Sequence, residues 1–225
     1  MTKDEVLKEL ESLGSEDVRE GRARYGIRAE TSYGVSIPNI KALAKKIGKY
    51  HELSLQLWNS GNHDARILSF MIADPQKFTH ELAEEWMKEM TSWDLTDGAA
   101  VYLFRHCDWV FDKMKEWISS DQEFRRRQGF VLMAVMAVHG KKLPNAKFIE
   151  WLDDLYEGAS DKRNFVKKAV NWAIRQIGKK NTTLRHQALF TCERILDDKQ
   201  KVNWIALDAK RELNDPKIVA RIKKG

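Results

Sequence analysis

Cysteine, proline and long apolar runs are all scarce in this chain, and each scarcity argues against a class of protein. The two cysteines, Cys107 and Cys192, stand alone without a CxxC spacing. They argue against a disulfide framework or a thiolate zinc site and fit a reducing cytosol. The longest apolar run, Phe130 to Val138, is far below the ~20 residues that a membrane helix needs. The N-terminus, Met1-Thr2-Lys3-Asp4-Glu5-Val6, carries charge where a signal peptide has an apolar core, so a soluble, cytoplasmic protein with no membrane partner is expected. Also missing are a Gly-rich phosphate loop, GxSxG, HExxH and any His-x-x-x-His pair. Only 4 prolines and 12 glycines break the sequence, and strand-like alternation is scarce.

What is present is helical spacing. Hydrophobic residues make up 43% of the 225 residues, enough for a sizeable core. They recur as Val6-Leu7-Leu10-Leu13, Ile40-Leu43-Ala44-Ile47 and Leu82-Trp86-Met90, the period of amphipathic helices. Short signals at Gly14-Ser15, Gly48, Ser60-Gly61-Asn62, Asp74-Pro75, Gly140 with Pro144, Gly158-Ala159-Ser160 and Asp215-Pro216 separate them. No linker divides the chain, so one all-α domain spanning 1–225, of about a dozen helices, is expected.

A weak internal repeat runs through it. Ser60-Gly61-Asn62-His63-Asp64, Ser92-Trp93-Asp94, Ser119-Ser120-Asp121 and Ser160-Asp161 each place a helix-capping residue before an amphipathic segment. Their separations of about 30 to 40 residues are those of HEAT-type helical pairs. The expected architecture is a right-handed solenoid of HEAT-like repeats with a concave, basic face able to cradle duplex DNA, although several helical bundle folds would show the same spacing.

Net charge is +6 with a pI near 9.2. Basic residues gather at Arg66, Arg125-Arg126-Arg127, Lys167-Lys168, Arg175 and Lys179-Lys180, positions that could follow a phosphate backbone or simply form a solvated surface. Of eight tryptophans, Trp58, Trp86, Trp117, Trp151 and Trp204 sit among apolar neighbours and read as core. Trp172 shares a helix face with Lys168 and Arg175, where its ring could support a cation or simply pack. Trp93 and Asp97, spaced i, i+4, share another face. A π-surface beside a carboxylate suits a sugar developing positive charge, although an acid this early in a helix also favours the helix dipole. Asp94, nearer Ser92, fits the dipole role better, and Gly98-Ala99-Ala100 leaves room for another backbone to approach. His106 and Cys107 are adjacent and point to different sides of a helix, so they are discounted as a nucleophile pair.

These segments, taken in order, resemble the DNA alkylation repair family of AlkD-like alkylpurine DNA glycosylases. Ser92-Trp93-Asp94-Leu95-Thr96-Asp97 is similar to the family's tryptophan and catalytic aspartate segment, and Phe124-Arg125-Arg126-Arg127 to the one supplying its active-site arginine. Phe165-Val166-Lys167-Lys168-Ala169-Val170-Asn171-Trp172-Ala173-Ile174-Arg175 resembles the helix bearing a second tryptophan and a DNA-contacting arginine. Tyr25 and Tyr33-Gly34-Val35-Ser36-Ile37-Pro38 resemble its N-terminal segment, with Ser36 departing from the longer amide found there. The resemblance implies hydrolysis of the N-glycosidic bond of 3-methyladenine and 7-methylguanine in duplex DNA. It makes Asp97 catalytic and places Trp93, Arg127, Trp172, Arg175, Tyr25 and Lys168 against the DNA. It implies no metal or organic cofactor, and a monomer suffices. Two alternatives stand beside it: a non-excising relative that binds damaged, bent or branched DNA, and a HEAT-type protein scaffold.

Overall fold

The structure, a computed structural model, describes residues 1–27, 30–199 and 202–223. Among the described residues there is no β-strand, and no helix is long and apolar enough to cross a membrane. The chain folds as two compact units, residues 1–110 and 111–225.

The first unit holds α1 (Lys3–Ser12), α2 (Glu16–Arg24), α3 (Ile37–Ile47), α4 (His51–Trp58), α5 (His63–Ile72), α6 (His80–Lys88) and α7 (Trp93–Tyr102). A 3-10 turn, Phe104–His106, follows. Helix boundaries fall at the glycine, proline and serine signals. Thr2 and Glu5 close a reciprocal capping box on α1, and Asn62 and Thr79 cap α5 and α6 through their side chains. The core is an aromatic chain. Trp58 and Trp86 stack with ring centroids 4.3 Å apart, Phe70 packs on both, and Phe78 meets Trp86 edge-on at 4.8 Å.

The second unit runs through α8 (Val110–Trp117), α9 (Glu123–His139), α10 (Asn145–Gly158), α11 (Asn164–Gly178), α12 (Thr182–Arg194), α13 (Trp204–Leu213) and α14 (Pro216–Val219). Helix α9 is its centre: every residue from Arg127 to Ala137 is buried. That explains the long apolar run, since a helix covered on all sides needs no polar face. Close packing around it depends on glycine. A Cβ at Gly158 would lie 2.5 Å from the Phe130 ring, and one at Gly129 would lie 3.0 Å from the Met114 carbonyl.

Two expectations need correction. Trp204 is 49% exposed and not core; its apolar neighbours Ile205 and Ala206 are the buried ones. The repeated serines and aspartates do not cap their helices directly. Ser60, Ser120 and Asp161 instead accept the backbone N–H two residues on, at Asn62, Gln122 and Arg163, which are the N-cap positions of α5, α9 and α11. The same tight turn therefore precedes three helices, and it is the structural content of the repeat signal. Ser92 does occupy the N-cap of α7, but its hydroxyl donates to Asp94, and it is the Asp94 carboxylate that accepts a first-turn N–H, that of Leu95.

Candidate functional site

Helix α7 carries the tryptophan and acid. Trp93 and Asp97 lie one turn apart, both half-buried, and both line a cleft of about 500 Å³ in the first unit. Tyr25, Ile37, Val101 and Tyr102 complete much of the wall, so the lining is mainly apolar. Tyr25, at the end of α2, is 74% exposed, and its carbonyl accepts the Trp93 indole N–H at 3.0 Å. This bond fixes the plane of the indole. The Thr96 hydroxyl donates to the Trp93 carbonyl at 2.8 Å and lies 3.3 Å from Asp97 Oδ1. The room beside Asp97 is used by a ring rather than a backbone, since a Cβ on Gly98 would sit 3.4 Å from Phe70.

Asp94 opens onto the same cleft but is bound into the protein. It accepts from His63 Nε2 at 2.7 Å, from the Ser92 hydroxyl at 2.6 Å and from the Leu95 N–H at 3.0 Å. Burial pushes its carboxyl up, yet the His63 and Ser92 bonds and the charge of Arg22 overcome this and hold it below the ordinary range. Asp94 is therefore a structural anion rather than only a partner for the helix dipole.

A second anion braces the cleft from behind. Asp64, fully buried on α5, accepts from Arg22 at 2.6 Å, from the Ser32 hydroxyl at 3.0 Å and from the N–H groups of Tyr33, Gly34 and Val35. Arg22 also donates to the Val35 carbonyl at 2.7 Å. Gly34 is required at this crossing: its φ is +79°, and a Cβ there would lie 2.1 Å from the Ser15 carbonyl. The segment 30–36 and α2, which carries Tyr25 at its end, are thus tied to α5 through one carboxylate. Spacing along the sequence gave no hint of Arg22, Asp64 or His63, because their partners lie far away in the chain. The one available signal was two polar side chains, His63-Asp64, at the start of a largely apolar helix.

In the second unit, Arg127 is buried, 5% exposed, and donates to the Phe165 carbonyl at 2.7 Å, joining α9 to the first turn of α11. Trp172 is half-buried, and its indole N–H meets the Gln176 side-chain oxygen at 3.0 Å when that amide is turned to suit both neighbours. Lys168 is exposed. Arg175 pairs with Glu212, which also holds Lys179 at 2.7 Å. Other members of the basic series are paired too: Arg66 with Glu89, Arg125 with Glu116 at 2.9 Å, and Arg126 with Asp161 at 3.4 Å. The structure thus brings Tyr25, Trp93 and Asp97 together in the first unit, and Lys168, Trp172 and Arg175 along one face of α11 in the second.

Cys107 is buried, and burial, with Asp108 nearby, pushes its thiol up to about 12, far from a nucleophile's range. Among the described residues no three His, Cys, Asp or Glu side chains are grouped to hold a metal.

Comparison with known proteins gives this arrangement its family. The sequence model of the DNA alkylation repair enzyme family matches residues 6–211. The chain belongs to that family. It is 30% identical over 119 residues to uncharacterized protein Lmo0209 of Listeria monocytogenes, a match covering 51% of each chain. It is 27% identical over 161 residues to uncharacterized protein Lin0241 of Listeria innocua, covering 70% of this chain and 69% of that one. The chain therefore spans about half the length of the first of these relatives. In fold, it is similar to a solved structure described as a new family of proteins related to the HEAT-like repeat DNA glycosylases with affinity for branched DNA structures. That likeness has a TM-score of 0.82 at 22% identity and covers 100% of this chain and 98% of the other. The all-α, HEAT-like fold is shared.

Proposed function

We propose that this protein is a DNA glycosylase that hydrolyses the N-glycosidic bond of cationic alkylated purines, such as 3-methyladenine and 7-methylguanine, in duplex DNA. The observation that carries the reading is Asp97 one turn from Trp93 on the wall of one apolar cleft, in a chain of the DNA alkylation repair enzyme family. An N3- or N7-alkylated purine already bears positive charge and leaves as a neutral base, so no general acid is needed. As the C1′–N bond breaks, its electron pair neutralises the purine and positive charge moves to the deoxyribose. Asp97 stabilises that sugar cation and orients the water whose oxygen bonds to C1′; the released proton passes to Asp97 and then to solvent.

Trp93, held by the Tyr25 carbonyl, offers the lesion's sugar a rigid flat surface. Lys168, Trp172 and Arg175 are assigned to the DNA backbone, and two cations on Glu212 leave one positive charge there. Arg127, bonded to Phe165, keeps α11 in position for that contact. The protein acts as a monomer and needs no cofactor in this scheme. The test is release of 7-methylguanine from methylated duplex. Asp97→Asn is expected to lower the single-turnover rate by about 100- to 1,000-fold, the cost of removing a preorganised charge. Undiminished release by that variant removes Asp97 from the chemistry.

A second reading draws on the structural relative with affinity for branched DNA. In it, the protein binds bent or branched DNA without excising bases. It predicts tight binding to a four-way junction and no free base from wild-type protein.

A further inference from the structure

The second unit contains a cleft that the proposed chemistry does not use. Residues 159–162 after α10, Lys167 on α11 and the start of α13 line it, with a volume of about 430 Å³. Trp204, read from sequence as core, stands at this cleft 49% exposed, beside Val202 at 79%. The position of Trp204 is fixed from below. Asn203, its neighbour, donates to the Ala159 carbonyl at 3.1 Å and accepts from the Ile205 N–H at 3.0 Å, so the first turn of α13 is pinned to the end of α10. An exposed indole on a rigid helix start offers a ready stacking surface.

The charge around it is positive. Lys162 and Lys167 both line the cleft, and among the described residues neither has a carboxylate partner. The one acid in the lining, Asp161, is buried and taken up by Arg163 and Arg126. Burial opposes its ionisation, but the Arg163 bonds outweigh this and hold its carboxyl below the ordinary range. It therefore leaves the two ammonium groups uncompensated. This contrasts with Arg66, Arg125, Arg175 and Lys179, each of which is matched to a glutamate.

A planar aromatic surface, two ammonium groups and a cleft of this volume fit a planar ring joined to a phosphate. We infer that the cleft binds one unpaired nucleotide of a DNA strand, its base stacked on Trp204 and its phosphate held by Lys162 and Lys167. Paired bases in a duplex have both faces covered and cannot stack on the indole. The site therefore distinguishes single-stranded arms, as at forks, flaps or junctions, from continuous duplex. An apolar peptide would leave both lysines without a counter-charge. The inference shares with the proposed function only the premise that the partner is DNA.

Fluorescence anisotropy with the full chain tests it, using a labelled duplex and the same duplex extended by an oligothymidine arm. Wild type is expected to bind the armed duplex about tenfold more tightly, the effect of one base stacked on an aromatic side chain. Trp204→Ala should abolish that preference and leave plain-duplex affinity unchanged, while Trp204→Phe keeps most of it. Lys162→Glu with Lys167→Glu should weaken arm binding and flatten its salt dependence. Equal affinity of wild type for both oligonucleotides, or an equal loss on both in Trp204→Ala, overturns the inference. So does a Trp204→Ala effect confined to self-association in sedimentation, which would mark the patch as a protein contact. Excision of 7-methylguanine from plain duplex is scored in parallel. Excision without arm preference sinks this inference alone, and arm preference without excision sinks only the glycosylase reading.

Discussion

Two carboxylates three residues apart on one helix have been given different work by their neighbours. Asp94 is enclosed by His63, Ser92 and its own turn, whereas Asp97 stands on the cleft wall beside Trp93. The environment of Asp94 has a consequence for stability. Its folded carboxyl ionises below the ordinary range, so an unfolded chain, with a value of about 3.9, takes up that proton first as pH falls. The stabilisation is therefore fully present above about pH 5 and is lost as pH drops through the folded value. Urea midpoints of wild type and Asp94→Asn should differ most near pH 6 and converge toward pH 3. A difference that stays constant across this range would mean that Asp94 acts through shape and not charge. Spacing already favoured Asp94 for the helix dipole and the resemblance singled out Asp97, but the bonds that enclose Asp94 were not visible in the sequence. Both follow a plausible cap, and the residue that distinguishes them, His63, belongs to another helix.

Helices were the most legible level, because apolar spacing and turn residues are local. Every glycine, proline or serine break in the sequence lies at or next to a helix end, and the apolar run is buried within α9 from Phe130 to Ala137, with Val138 exposed. Facing was harder to read. Trp204 looked apolar in context because Ile205 and Ala206 flank it, yet a helix sends neighbours in different directions, and only those two enter the core. Close approach between helices was also hidden, since a glycine in a helix signals weakness or contact equally well. The two cases are separable by mutation. Gly129→Ala puts a methyl 2.6 Å from Ile118 Cγ2 and 2.8 Å from its backbone nitrogen, where α9 meets the end of α8. Overpacking should outweigh the gain in helix propensity and destabilise by about 1–3 kcal/mol. At Gly21, in α2, a Cβ meets nothing within 4 Å, so Gly21→Ala should stabilise by about 0.5–1 kcal/mol. Paired thermal melts decide the point, and a stable Gly129→Ala would show that α8 yields to α9.

For the whole molecule, the sequence displays its surplus of basic residues and hides how they are used. A net charge of +6 suggests a continuous track for phosphate, but pairing partners lie on other helices and cannot be seen from spacing. Glu89, Glu116, Asp161 and Glu212 between them take up Arg66, Arg125, Arg126, Arg175 and Lys179. Much of the basic series is thus paired within the fold, although the net charge is unchanged, and DNA affinity should fall with salt less steeply than a count of lysines and arginines implies. Glu212 offers the sharpest test, because it restrains two cations near Trp172, Arg175 and Lys179. Burial opposes its ionisation, and the bonds from Lys179 and Arg175 overcome that, so Glu212 is an anion; under the proposed function it competes with phosphate for both cations. In Glu212→Gln that anion is lost, and a full positive charge is added beside Trp172, on the side of α11 to which the proposed function assigns DNA. Duplex affinity at 150 mM salt should rise by about two- to threefold, and the slope of log K against log salt should steepen by about 0.9, one phosphate's share. Weaker binding with an unchanged slope would instead mean that Glu212 positions Arg175 for its contact and that the pair persists on DNA.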